Sequence, residues 1–182
     1  MNTGASKRAV FLDRDGVVNR TFIRDGKPFA PTRIEDFEIL PGVADAVMSF
    51  KRAGFLVIIV TNQPDVSTGK QTAAGIEAMH KQLRSYVAVD DIFVCYHTDA
   101  DGCDCRKPKP GMLHQAEQRH AIALDRSWLV GDRWRDIEAG QAVGCRTVFV
   151  DNGYDEPTPK ADLVVTALSE AVGPIIESTE IA

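Results

Sequence analysis

The 182-residue sequence has no apolar run long enough to cross a bilayer, because its longest, Phe55-Leu56-Val57-Ile58-Ile59-Val60, falls far short of the roughly 20 residues required. It also has no basic excess. A formal net charge of −5 and a pI near 5.4 remove the broad positive field that nucleic-acid binding draws on. The segment 1–7 is too polar for a signal peptide, so a cytoplasmic chain is expected. Neither nucleotide-binding glycine motif is present: Gly69-Lys70 has Pro64 where a P-loop needs its first glycine, Gln71 follows, and G-x-G-x-x-G is missing. No repeat, low-complexity tract or interdomain linker interrupts the chain. Residues 1–182 are therefore expected to form one domain with a full core, as a monomer without nucleic-acid or membrane partners. Cysteine is scarce, with four in all, yet three of them crowd between Cys95 and Cys105.

What is present is alternation. Ala9-Val10-Phe11-Leu12 runs into Asp13-Arg14-Asp15-Gly16, a short apolar strand emptying into a turn. The stretch from Asn19 to Leu40 carries Gly26, Pro28 and Pro31 without a helical period and reads as a long loop or small flap. Val43, Ala46, Val47 and Phe50 mark an amphipathic helix stopped near Gly54, and Phe55 to Val60 is a strand apolar on both faces. Thr72 caps a predicted helix through Ile76, Met79, Leu83 and Val87, and Ile92-Phe93-Val94 forms a third strand. Pro110 opens a helix toward His120, Trp128-Leu129-Val130 is a fourth strand, and a helix from Arg135 to Val143 stops at Gly144. Thr147 to Val150 is a fifth strand and Leu163 to Val165 a short edge strand. A last helix through Leu168, Val172 and Ile176 is interrupted by Gly173-Pro174. Strands alternating with helices predict an α/β fold with a doubly wound parallel sheet.

Polar chemistry falls repeatedly at strand ends, where ligands bind in such sheets. Asp13 with Asp15, Thr61 with Asn62, Arg106 with Lys107, and Asp132 with Asp136 are the candidates. Two carboxylates on one strand end repel each other, so Asp13 and Asp15 call for a bound cation or strongly split pKa values. A second constellation is Cys95-x-His97-x5-Cys103-x-Cys105, three sulfurs and an imidazole within eleven residues. It matches a closed tetrahedral Zn²⁺ site, structural because no coordination position is left open. Cys145 lies outside that pattern and reads as a small buried residue. His80, His114 and His120 sit on predicted helices without ligand partners, in packing or surface roles.

Taken together, Asp13-Arg14-Asp15-Gly16, Thr61-Asn62-Gln63, Lys107-Pro108 and Gly131-Asp132-Arg133-Trp134-Arg135-Asp136 resemble the four motifs of the haloacid dehalogenase-like (HAD) phosphatases. Cys-x-His followed by Cys-x-Cys-Arg-Lys-Pro resembles the zinc-containing, capless subgroup, which includes heptose-bisphosphate and histidinol-phosphate phosphatases. The resemblance implies a Rossmann-like HAD core with a small zinc loop and no separate cap domain. It implies that Asp13 attacks phosphorus to form an aspartyl-phosphate, while Asp15 protonates the leaving oxygen and then activates water. Mg²⁺ would be held by the Asp13 carboxylate, the Asp15 main-chain carbonyl and Asp132, with Asp136 in support. Thr61 would donate to the phosphoryl group and Lys107 would neutralise it. Substrate contacts are expected from Arg106, Asn62 and Arg133. The substrate expected is a phosphorylated sugar, a heptose phosphate, because Arg106, Lys70 and Lys109 supply more positive charge than one phosphoryl group needs. The alternative is histidinol phosphate, for whose amine Asp99, Asp101 and Asp104 are the candidates; a zinc-stapled scaffold without turnover is a remote third reading.

Overall fold

The computed structural model describes residues 6–178, so residues 1–5 of the polar segment 1–7 lie outside it. Six parallel strands form the sheet: β1 (Arg8–Leu12), β4 (Phe55–Asn62), β5 (Asp91–Cys95), β6 (Trp128–Gly131), β7 (Arg146–Val150) and β8 (Leu163–Val165), in the order β5-β4-β1-β6-β7-β8. The chain first builds outward from β1 through β4 to β5, then returns to the other side of β1 for β6. The reversal falls between β1 and β6, and such a switch point opens a crevice at the strands' carboxyl ends.

Alternation along the strands sorts the core into two faces. Val10, Leu12, Val57, Ile59 and Val130 pack toward α1 (Val43–Arg52), α2 (Ala73–Tyr86) and α5 (Val172–Glu177). Ala9, Phe11, Ile58, Val60 and Leu129 pack toward α3 (Gly111–His120) and α4 (Trp134–Ala142). Because both faces are covered, β1 and β4 are apolar without a polar side. Phe11 is fully buried, which contributes about 1.5–3 kcal/mol relative to an exposed ring. Thr72 Oγ1 caps α2 by accepting from the Gly75 amide at 3.0 Å.

Two elements differ from the sequence reading. The segment 19–40 is not all loop, since β2 (Phe22–Arg24) and β3 (Lys27–Phe29) pair as an antiparallel hairpin over the turn Asp25-Gly26, whose φ angles are 49° and 72°. Strands of three residues, one containing Pro28, are too short to show a period. The break in the C-terminal helix comes before α5, which a 3₁₀ turn (Leu168–Ala171) precedes. Pro174 lies in the first turn of α5, where its missing N–H leaves no bond unmade. No helix among the described residues is long and apolar enough to cross a membrane.

Candidate active site

The ends of β1 and β6 bring Asp13 and Asp132 to the switch point, and α4 adds Asp136; carboxylate oxygens of all three lie within 4.8 Å of one another. Close approach requires glycine in two places. A Cβ on Gly16, whose φ is +84°, would stand 1.8 Å from Asp132 Oδ2, and one on Gly131 would stand 2.1 Å from the Asp136 Cβ. Lys107 enters from the loop before α3, and its ammonium donates to Asp13 Oδ1 at 2.8 Å and to the Val60 carbonyl at 2.7 Å, and pairs with Asp136 Oδ1 at 2.5 Å. Asp136 Oδ2 also accepts from the Arg133 amide at 3.0 Å and so caps α4.

Three buried carboxylates against one ammonium leave an excess of negative charge. Burial pushes Asp13 up to about 7, with Asp136 and Asp15 adding to the rise and Lys107 opposing it. Burial and the Asp13 and Asp136 charges hold Asp132 well above the usual carboxylate range. For Lys107 burial works downward, and the flanking Asp13 and Asp136 outweigh it, keeping the ammonium charged. Asp132 Oδ1 is buried and has no hydrogen-bond partner. An orphaned carboxylate oxygen among hard oxygen donors with surplus negative charge fits a divalent cation such as Mg²⁺.

Asp15 lines the same pocket but is held by partners of its own. Its carboxylate accepts from Arg14 Nη2 at 2.9 and 3.0 Å, from Asn19 Nδ2 at 3.0 Å and from Gln63 Nε2 at 2.6 Å. Arg14 is itself fully buried, within 3.3 Å of His80 Nε2 and 5.6 Å from the Phe37 ring centroid. The two aspartates of β1's end are thus separated by partner, one facing Lys107 and the other Arg14. The roles of Arg14, Asn19 and Gln63 escaped the sequence reading, whereas His80, expected in a packing or surface role, is buried; an arginine between two aspartates was the one local signal for this set.

Three residues expected at the substrate have protein partners in the structure. Thr61 is buried, its Oγ1 accepts from Gln63 Nε2 at 2.8 Å, and it does not line the pocket. Asn62 does line it, but both ends of its amide clamp the Lys107 backbone at 3.1 Å, which makes it a holder of the lysine. Arg106 is outside the lining, its guanidinium tied to Asp99 at 3.0 Å and to the His97 carbonyl at 3.2 Å. The cationic side chains at the mouth are Arg133, paired with Glu156, and Arg135, which donates to Asp99 at 2.8 and 3.2 Å. Lys70 and Lys109 are also outside the lining.

The thiol–imidazole cluster sits beyond β5. Cys95, His97, Cys103 and Cys105 place their donor atoms within 4.8 Å of one another. Cys95–Cys103 and Cys103–Cys105 sulfurs are 3.7 and 3.5 Å apart, against about 3.8 Å for thiolates at tetrahedral Zn²⁺; Cys95 and Cys105 are closer, at 2.9 Å. All four cysteines, Cys145 included, are free of disulfides. Burial, with Cys105 adding, pushes the Cys95 thiol far up, so a thiolate there needs a cation beside it. The donor set fits zinc.

A family model described as HAD-hydrolase-like matches residues 104–171. The D-glycero-beta-D-manno-heptose-1,7-bisphosphate 7-phosphatase of Pseudomonas putida is 39% identical over 166 residues, covering 88% of this chain and 92% of its own. The enzyme of the same name from Pseudomonas aeruginosa is 35% identical over 182 residues, covering 94% and 99%. Among solved structures, the D,D-heptose 1,7-bisphosphate phosphatase of B. bronchiseptica, complexed with magnesium and phosphate, superposes with a TM-score of 0.80 at 30% identity, covering 94% of this chain and 99% of that one.

Proposed function

Since the chain belongs to the HAD-like phosphatases, we propose that it is the magnesium-dependent enzyme that removes the 7-phosphate from D-glycero-β-D-manno-heptose 1,7-bisphosphate. The observation that carries the reading is Asp13, buried against Lys107 in one cluster with Asp132, whose Oδ1 has no partner. Lys107 occupies Asp13 Oδ1 and leaves the other oxygen to attack phosphorus along a line opposite the leaving ester oxygen. Asp15 gives its proton to that leaving oxygen and later takes one from the water that cleaves the aspartyl-phosphate. Arg14, Asn19 and Gln63 fix where its carboxylate points. Asp13, Asp132 and the Asp15 main-chain carbonyl would hold Mg²⁺, which supplies the positive charge that offsets repulsion between carboxylate and phosphate. Asp136 sets the lysine ammonium and the start of α4.

Cys95, His97, Cys103 and Cys105 would hold a structural Zn²⁺, which pins the loop that delivers Lys107 two residues after Cys105. One domain spanning 1–182, monomeric and cytoplasmic, without a nucleic-acid or membrane partner, completes the reading. Histidinol phosphate is the weaker substrate. Asp99 is taken by Arg106 and Arg135, and Asp101 by the Thr98 amide and hydroxyl, so two of the three carboxylates that could meet its amine are committed. Phosphate release from the heptose bisphosphate, with NMR to identify which ester is cut, tests the proposal. Loss of the 7-phosphate with kcat/KM at least tenfold above histidinol phosphate is expected; the reverse preference overturns the substrate.

A further inference from the structure

Asp132 presents two unlike oxygens. Oδ1 is buried without a partner, whereas Oδ2 accepts from the Tyr154 hydroxyl at 2.7 Å and from Asn152 Nδ2 at 3.3 Å. The tyrosine hydroxyl is itself fully used. Its single proton goes to Asp132, and it accepts from Asn152 Nδ2 and from Thr21 Oγ1, both at 3.0 Å. Asn152 is anchored in turn by donating one amide hydrogen to the Gly16 carbonyl at 3.0 Å, so its other hydrogen is shared between Tyr154 and Asp132. The carboxylate therefore cannot rotate to exchange its oxygens without breaking the bonds to Tyr154 and Asn152.

We propose that Tyr154, seconded by Asn152, is a positioning residue that saturates Oδ2 of Asp132 and so presents Oδ1 alone to the catalytic divalent cation. This rests on the reading of Asp132 as a magnesium ligand. The physical need is specific to Mg²⁺, which demands near-octahedral geometry and is served by a single carboxylate oxygen in a fixed direction. Partners that orient a ligand from behind typically change metal affinity by about 10–100-fold when removed. The clamp joins the loop after β7 to the start of the β2–β3 segment through Thr21, so residues 136 and 133 positions apart in sequence converge behind one ligand.

The test is titration of MgCl2 into the whole protein without substrate, followed by calorimetry and by the rise in Tm, for wild type, Tyr154→Phe, Asn152→Ser and Asp132→Asn. Tyr154→Phe removes one oxygen and keeps the ring. A tenfold or greater weakening of Mg²⁺ in Tyr154→Phe, a smaller one in Asn152→Ser and loss of binding in Asp132→Asn are expected. A purely structural tyrosine would instead lower the metal-free Tm and leave the Mg²⁺ affinity where it was. If Tyr154→Phe binds Mg²⁺ within twofold of wild type while Asp132→Asn does not bind, the clamp is wrong and the metal assignment stands; should Tyr154→Phe fail to fold, Asn152→Ser is judged by the same twofold limit. If Asp132→Asn keeps wild-type affinity, the ligand reading falls and this inference with it.

Discussion

Two clusters that could hold a metal are built in opposite ways. The carboxylate pocket collects Asp13, Asp132 and Asp136 from two strand ends and a helix start, with a lysine at its floor, and every one of its side chains is buried. The thiol–imidazole cluster draws all four donors from one strand end and the loop after it, and only Cys95 is buried. Hard oxygen donors need the whole fold to bring them together and leave room for a substrate. Soft donors at short spacing assemble locally and close on themselves. Chemistry is thus assigned to the site that the sheet topology creates, and support to the site that the loop creates.

The largest effect should follow from breaking the pocket. Asp13→Asn keeps the shape but removes the proposed nucleophile and charged magnesium ligand, so phosphate release should fall by at least about 10³-fold, roughly 4 kcal/mol of barrier, with an unchanged circular dichroism spectrum. Retention of a tenth of the wild-type rate would rule out Asp13 as nucleophile. Breaking the loop should act first on stability. Cys103→Ser should lower Tm by about 5 °C or more and cost activity secondarily, because Lys107 loses its anchor; an unchanged Tm would remove the structural role from the cluster.

The next measurement sharpens the pocket side. His80 is buried, and burial, then the Arg14 charge, lowers it to about 4. Between that value and its ordinary 6.5 the unfolded chain binds a proton that the folded chain refuses, so stability is full above pH 6.5 and drops as pH falls toward 4. His80→Gln should flatten this acid limb by on the order of 2 kcal/mol in urea titrations at pH 5 against pH 7. A limb of the same depth in the variant would place the titration elsewhere. The smallest effect concerns the boundary between the regions. Arg135 lines the pocket and Arg106 does not, so Arg135→Ala should raise KM for the heptose bisphosphate about tenfold, roughly 1.4 kcal/mol, and Arg106→Ala less. The opposite order would return Arg106 to the substrate.

The same contrast explains what could be read from the sequence. The parallel α/β order and the proximity of Asp13, Lys107, Asp132 and Asp136 were legible because apolar runs end where polar residues begin, and strand ends converge in such a sheet. The four soft donors were legible from spacing alone. Arg14, Asn152, Tyr154 and Glu156 were not, because each meets its partner across space: Asn152 reaches Gly16 over 136 positions, and no period or spacing encodes such a contact. The direction of Arg106 was not legible for a related reason. Its neighbour Lys107 enters the pocket, but within the tight turn at 106–109 the Arg106 guanidinium reaches Asp99 instead.

The partition of metals tests the central claim most directly. Wild-type protein dialysed against a mild chelator and then assayed by elemental analysis and phosphate release should retain one zinc per chain, lose its activity with its magnesium, and regain it on addition of MgCl2 alone. Activity that survives magnesium removal, or that returns only with zinc, would contradict the division of labour between the carboxylate pocket and the cysteine loop.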